Sequence, residues 1–292
     1  MKRRKLAARL SDVARTAGVS LTTASRVLSE PERVHHSTLA HVREVMTRLG
    51  YVPHGAARAL ASHRSRTIGA IIPTLDNPIF AGSTQALQTH LYRAGYTLLL
   101  GSHEYDLEAE AFVAAALIQR GVDGMILVGL DHAPKLYRLL ETADIPYELT
   151  WAVDLSSFHY SLGFSNRHSA IEVTRHLLAL GHRQIAVISG YTAQNDRARE
   201  RVAGIREALQ SNGITLPPEQ VLETGFSVAN GRKAMAALLE RDTTRQITAV
   251  ACGNDILAVG ALLEAAARGI PVPEALSVTG FDDIELAAEF NP

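Results

Sequence analysis

The chain has a single cysteine in 292 residues, Cys252, so neither an internal disulfide nor a thiolate zinc cage can form within it. Cys252 sits in the apolar run TAVACG, where it reads as a small buried hydrophobe rather than a nucleophile. No apolar run approaches the roughly 20 residues that a membrane-spanning helix needs. TLLLG and GMILVG are among the longest. The basic start MKRRKLAARL is not followed by an apolar h-region and a small-residue cleavage site, so no secretory signal is read and a cytoplasmic location is expected. Signals for catalysis are equally scarce. There is no Gly-x-Gly-x-x-Gly after a strand, no Gly-x4-Gly-Lys-Ser/Thr, and no His-Glu-x-x-His among the 12 histidines, and Ser189-Gly190 does not complete a Gly-x-Ser-x-Gly elbow. No catalytic residue, cofactor or metal site is expected.

What the chain does have is a sharp division of charge. The net charge is only −1, but through Arg66 there are thirteen basic side chains and four acidic ones, which makes that segment +9 and the remainder −10. A basic module joined to an acidic one points to a polyanion partner for the first, because each neutralised phosphate releases counterions. A hydrophobic content of 47% is enough for a full core, and the length suggests two or so domains at roughly 100 to 200 residues each.

Beyond residue 66 strands and helices alternate. Apolar runs at TIGAIIP, YTLLLG, GMILVG, IPYEL, QIAVISG, TAVACG and LSVTGFDD read as strands, bounded by Gly, Pro, Asn or Asp. Between them FAGSTQALQTHLYRAG, EAEAFVAAALIQRG, SAIEVTRHLLALG, RERVAGIREALQSNG, NGRKAMAALLER and DILAVGALLEAAARG read as helices. In the third, Ile171, Val173, Thr174, Leu177 and Leu178 keep a three-four spacing and Gly181 closes the helix. The alternation predicts parallel sheets with helices on both faces, and about a dozen elements predict two lobes with a cleft between them, divided near residues 163–170.

The most specific local pattern is LSDVARTAGVSLTTASRVLS, residues 10–29. Val13, Ala14 and Ala17 form one short apolar face, Gly18 permits a tight turn, Val19 is expected at a buried corner, and Ser20 can cap a second helix whose inner face is Ala24, Val27 and Leu28. Two short helices at a steep angle make a helix-turn-helix, with Leu21, Thr22, Ser25 and Arg26 directed outward toward a major groove. Arg26 can grip guanine or a phosphate, the hydroxyls of Ser20, Thr22, Thr23 and Ser25 can bond phosphates or base edges, and Leu21 can touch a thymine methyl. Leu39, Val42, Met46 and Leu49 on STLAHVREVMTRLG are expected to complete a three-helix core. The competing reading is a plain helical packing module with a solvated polar face.

From VARTAGVSLTTASRVLSEPERVHHSTLAHVREVMTRLGYVPHGAARALAS the chain resembles the headpiece and hinge of the lactose/galactose repressor family. The resemblance continues through NPIFAG, RVAGIREAL, CGNDILAVGAL and LSVTGFDDIELA, essentially the whole chain, with a leaning toward its gluconate-type members. It departs at Ala24, where the family usually has Val, at His35, where it usually has a capping Ser, and at GFSN, where Gly-x-Asp-Asn is common. The resemblance implies a small all-α helix-turn-helix headpiece (1–53), a hinge helix and linker (54–66), and an α/β two-lobed periplasmic-binding-protein-like domain with parallel doubly wound sheets (67–292, lobes about 67–165 and 166–292). It further implies that Leu60 is the leucine that paired hinges wedge into the operator. The family's chain normally continues past AEFNP with a returning strand and helix, so a C-terminal truncation is expected.

Ligands of doubly wound sheets sit beyond the carboxyl ends of the strands. Asn77, Phe80, Trp151, Arg201, Phe226, Asn254 and Asp282 fall there and match the family's effector-contacting positions. Aromatic faces suit a sugar ring, Asn, Asp and Arg its hydroxyls, and Arg201 could also hold a carboxylate. Each has a plainer role available: Phe80 and Phe226 as core, Arg201 and Asp282 as a structural ion pair, Asn254 as a helix cap. The expected function is a DNA-binding repressor of a carbohydrate operon, acting on double-stranded pseudo-palindromic operator DNA as a homodimer or higher oligomer, with a sugar or sugar-acid effector, in the nucleoid and without membrane. A free periplasmic-type sugar-binding protein and a doubly wound enzyme are the alternatives.

Overall fold

The computed structural model describes residues 8–52, 64–156, 158–244 and 246–290. Leu60 and the expected hinge helix at 54–62 lie outside the described residues. The chain divides into two compact units, Met1–Thr67 and Ile68–Pro292.

The first unit is built on α1 (Leu10–Ala17), α2 (Leu21–Ser29) and α3 (His36–Leu49). Gly18 takes φ 66, the left-handed conformation that favours glycine, and so ends α1. Val19 N then donates to Ala14 O at 3.0 Å, the closure that satisfies orphan carbonyls at a helix end. One residue later Ser20 Oγ accepts from Thr23 N at 3.0 Å and starts α2. Val13, Ala17, Val27, Val42, Val45 and Met46 are buried together. Val19 and Leu28 pack on this cluster only half-buried, because the corner they occupy faces the edge of a very small core. Val45, absent from the expected set, belongs to its centre. At the head of α3 the His35 side chain makes no capping bond; its Nδ1 lies 2.9 Å from Ser37 Oγ instead.

The second unit holds two sheets. The first has the order β2-β1-β3-β4-β5, from β1 (Thr67–Ile72), β2 (Thr97–Ser102), β3 (Gly124–Val128), β4 (Tyr147–Thr150) and β5 (Ser161–Leu162). The second has the order β7-β6-β8-β9, from β6 (Ile185–Gly190), β7 (Val221–Thr224), β8 (Ala249–Cys252) and β9 (Ser277–Thr279). β1 pairs β3 in parallel with Ile68 opposite Gly124, and β6 pairs β8 in parallel with Ile185 opposite Ala249. Each sheet therefore has a point where the strand order reverses, between β1 and β3 and between β6 and β8, and ligands of such sheets bind there.

The connecting helices are α4 (Pro78–Arg93), α5 (Leu107–Gln119), α6 (Pro134–Thr142), α7 (Asn166–Ala179), α8 (Asp196–Gln210), α9 (Val228–Arg241) and α10 (Asp255–Ala267). Ile71, Leu127, Leu136, Leu140 and Leu149 are at the heart of the first core. The second sheet is covered on both faces, by Met235, Leu238 and Leu257 on one side and Leu177, Ile205 and Leu209 on the other. Two elements, β5 and α6, differ from expectation, while β7 is read from the sequence only through the LETG strand end before Phe226. β5 and β7 add to the seven apolar runs, and α6 occupies PKLYRLLET, a stretch of 9 residues that buries only Leu136 and Leu140. Arg201 does not open its helix: Asn195 Oδ1 accepts from Ala198 N at 3.3 Å and starts α8 at Asp196, which puts Arg201 in the second turn.

Candidate functional site

Leu21, Thr22, Ser25 and Arg26 of α2 line an open groove together with Ser29 and Glu30. Leu21 is 55% exposed, a large apolar side chain that its own core does not use. The Ser20 and Thr23 hydroxyls lie 2.8 Å apart and Ser20 caps the helix, so both side chains also set the shape of the turn. Leu10 and Ser11 complete the lining, so the groove presents two apolar groups, four hydroxyls, the Arg26 guanidinium and the Glu30 carboxylate; apolar, hydroxyl and guanidinium groups are the chemistry that reads base edges and phosphates.

In the second unit all seven candidate residues, Asn77, Phe80, Trp151, Arg201, Phe226, Asn254 and Asp282, line one narrow cavity of about 30 Å³. Asn77 caps α4 through Oδ1, which accepts from Ile79 N at 3.3 Å, and this fixes Phe80 on the first turn. The Phe80 ring meets Trp151 edge-on at 5.7 Å. Trp151 follows β4 with φ 70 and is held by its backbone, N to Leu162 O at 3.1 Å and O from Asn166 Nδ2 at 2.9 Å. Asn254 caps α10 through Oδ1, 3.0 Å from Leu257 N, while its buried Nδ2 has no partner. The buried Ser189 Oγ at the end of β6 has none either. A buried polar atom left unpaired is expensive, and both residues belong to the cavity wall.

Arg201 is fixed from three sides. Its Nε donates to Asn166 Oδ1 at 2.8 Å, its Nη1 donates to Gly253 O at 2.5 Å, and its guanidinium lies 3.9 Å over the Phe281 ring. Asp282 approaches it to 3.6 Å, an ion pair without a hydrogen bond. Asp282 has φ 107 and Asp283 φ 54, a strained turn pinned by Asp255, whose Oδ2 accepts from Ile284 N at 2.9 Å. Burial pushes the Asp282 carboxyl up to about 6 although Arg201 pulls the other way. Burial also brings the Arg201 guanidinium down to about 10 against the pull of Asp282. For both partners desolvation outweighs their attraction. The plainer roles and the ligand-facing ones coincide here: Asn254 is a cap with a spare donor, and the Arg201–Asp282 pair is also cavity wall.

Sequence reasoning missed Tyr105, Asn195 and Arg197, which share the same wall. Arg197 is buried, bonded to Asp196 Oδ1 at 2.7 Å and to Val128 O of the first lobe at 3.1 Å. It crosses Gly129, which has φ 94 and where any Cβ would collide with the guanidinium. Arg199 reaches the first lobe as well, its two Nη atoms each 2.7 Å from an oxygen of Asp131. A conspicuous Asn before the helix signals Asn195, and the nearby end of β2 signals Tyr105; nothing in the local pattern signals Arg197. Cys252 is buried and burial pushes its thiol up, away from nucleophilic use. Among the described residues no helix is long and apolar enough to cross a membrane, and no group of three His, Cys, Asp or Glu side chains could hold a metal ion.

Comparison with known proteins matches residues 9–54 to the bacterial regulatory proteins of the lacI family and residues 65–289 to the periplasmic binding proteins and sugar binding domain of the LacI family. The chain is 34% identical over 287 residues to the HTH-type transcriptional repressor PurR of Aliivibrio fischeri strain MJ11, covering 98% of this chain and 85% of that one. Its fold is similar to that of a LacI-family transcriptional regulator from Silicibacter pomeroyi, with a TM-score of 0.85 and 30% identity over 97% of this chain and 84% of the other. The Lac repressor dimer bound to operator and the anti-inducer ONPF gives 0.82 at 28% identity, over 96% and 84% of the two chains.

Proposed function

The chain belongs to the lacI family of bacterial regulatory proteins, and on that footing we propose that it is a repressor of a carbohydrate-utilisation operon whose hold on its operator is set by a sugar or sugar-acid effector. Its relatives are regulators rather than enzymes. The free sugar-binding reading leaves the +9 first unit without a purpose.

The observation that carries the reading is the open groove on α2, with Leu21, Thr22, Ser25 and Arg26 outward on a strongly basic unit. One such helix reads only a half-site, so the working form is a homodimer on a pseudo-palindromic operator in the nucleoid. Leu60 of the hinge is assigned the wedge at its centre, and Leu60→Ala is expected to reduce DNA bending and affinity. The test is a DNA titration of the full chain at two salt concentrations, with the operator obtained by selection from random duplexes. Preference for the selected sequence that persists at the higher salt supports the reading; equal affinity for selected and random DNA overturns it.

The effector is assigned to the cavity of Arg201, Asn254 and Asp282, where the unpaired Ser189 Oγ and Asn254 Nδ2 would meet ligand hydroxyls. Binding there and binding to operator must influence one another equally, typically by about 1 to 3 kcal/mol. A thermal-shift screen of sugars, sugar acids and purines identifies the effector class, and Arg201→Ala should remove the response to any compound it finds.

A further inference from the structure

A second chamber adjoins this cavity. It leaves about 350 Å³ for a ligand against about 30 Å³ in the inner one, and small-ligand sites span roughly 300 to 1,000 Å³. Tyr105, Asn195 and Phe226 belong to both walls. The Tyr105 and Phe226 rings come from opposite lobes and stand 5.9 Å apart, inclined by 36°, so they form a waist between the two spaces. Tyr105 is held there at some cost: it and Glu104 are successive non-glycine residues at φ 64 and 49. That strained turn is fastened by Glu104 N donating to Pro73 O at 2.7 Å.

The two walls differ in charge. The inner one carries Arg197 and Arg201, each beside an aspartate. The outer one carries Asp76 and Glu104 with no Lys, Arg or His among its lining residues. A field of one sign in a cleft concentrates ligands of the other sign and repels its own. At the inner end Ser189 Oγ and Asn254 Nδ2 await hydrogen-bond partners, which anchors one end of a ligand there.

We propose that the outer chamber is a second subsite, which receives the neutral or cationic arm of an extended effector and rejects an arm that carries a carboxylate or phosphate. The proposal rests on the effector cavity assigned above. Tyr105 and Phe226 then part to admit the linking atoms and close on the ring beyond them.

The test uses the full chain and four matched probes, the methyl, phenyl, 4-(aminomethyl)phenyl and 4-carboxyphenyl glycosides, each made on glucose, galactose and ribose. Binding is read by calorimetry and by fluorescence of Trp151, the single tryptophan, which lines the inner cavity. In the sugar series that binds, the phenyl glycoside is expected to bind at least tenfold tighter than the methyl one, and the carboxyphenyl at least tenfold weaker than the phenyl. Asp76→Asn with Glu104→Gln should bring the carboxyphenyl-to-phenyl ratio close to one. Ala193→Trp, at an exposed loop position of the outer wall and read by calorimetry alone because it adds a second tryptophan, should bring the phenyl-to-methyl ratio close to one, with operator binding as the check on folding. Equal affinity for methyl and phenyl glycosides in the unsubstituted protein, or a carboxylate penalty that survives the double substitution, overturns the subsite alone. Failure of every glycoside to bind overturns the sugar-effector reading and the subsite with it.

Discussion

The substitution Asp282→Asn should change how the stability of the second unit depends on pH. The Asp282 side chain is 7% exposed and its carboxyl is raised from 3.8 to about 6, chiefly by burial. The folded chain therefore keeps this proton up to about pH 6, whereas the unfolded chain releases it near 3.8. Stability from this group is fully present at low pH and is lost as pH rises through the folded value. A shift of roughly two units corresponds to about 3 kcal/mol in total, of which about 1.4 kcal/mol falls between pH 5 and pH 7.5. The amide of the variant has no proton to lose, so the variant lacks this decline. The variant also leaves Arg201 with only Asn166, Gly253 O and the Phe281 ring as partners, a cost that is the same at both pH values and cancels in the comparison. The assay is urea unfolding followed by fluorescence of Trp151, which lies in the second unit and does not report on the headpiece. The variant's stability minus that of the parent should rise by about 1.4 kcal/mol from pH 5 to pH 7.5. A difference that stays constant or falls would refute the account of burial dominating over the Arg201 pair.

Three further substitutions test other parts of the argument. Ser20→Ala removes the oxygen that accepts from Thr23 N; it should cost α2 about 1 kcal/mol, seen as faster hydrogen exchange at the Thr23 amide, and unchanged exchange would show that the cap is unimportant. Arg26→Ala should weaken selected operator binding by about 1 to 3 kcal/mol and leave random-duplex affinity nearly as it was; an equal loss on both would make Arg26 a phosphate contact. Gly129→Ala places a methyl group where Arg197 crosses and forces a non-glycine residue to φ 94; the lost bond to Val128 O and the strain should together cost about 2 kcal/mol or more of second-unit stability, and an unaltered urea midpoint would count against that crossing.

The headpiece was legible because its signals are local. Gly18 can take the left-handed conformation, Ser20 can cap, and the three-four spacing of Val13 with Ala17, of Ala24 with Val27 and of Val42 with Met46 places each pair inward on its own helix. The strands buried on both faces were legible for a similar reason: QIAVISG and TAVACG are nearly continuous apolar runs. β5 has 2 residues and β7 reads VLET, an edge strand with half-buried side chains, so neither has enough apolar content to stand out. In the cavity, the rule that ligands gather at strand ends picked out Asn77, Trp151, Asn254 and Asp282, since each lies within a few residues of such an end. Tyr105, three residues past β2, met the same rule but was not picked out, and Arg197 lies seven residues past β6. Their positions depend on backbone geometry that only the folded chain reveals, a left-handed turn at Glu104–Tyr105 and a bare Gly129 in the opposite lobe.

Arg197, Arg199 and Arg201 follow one another at alternate positions of α8, and Arg197 both lines the cavity and reaches the first lobe. Arg197 and Arg199 tie the second lobe to the first, at Val128 O and Asp131, while Arg201 faces the cavity. A ligand can bias an arrangement of lobes only through contacts that differ between the arrangements. On α8 the contacts to the cavity and the contacts between lobes lie within two helical turns, so the differential needed is short-range. Arg199 and Asp131 are partly exposed, which keeps that tie weak enough to exchange with solvent. Arg197 is buried and cannot release Val128 O cheaply. Of the two ties, the one at Arg199 is therefore expected to cost less to break than the one at Arg197.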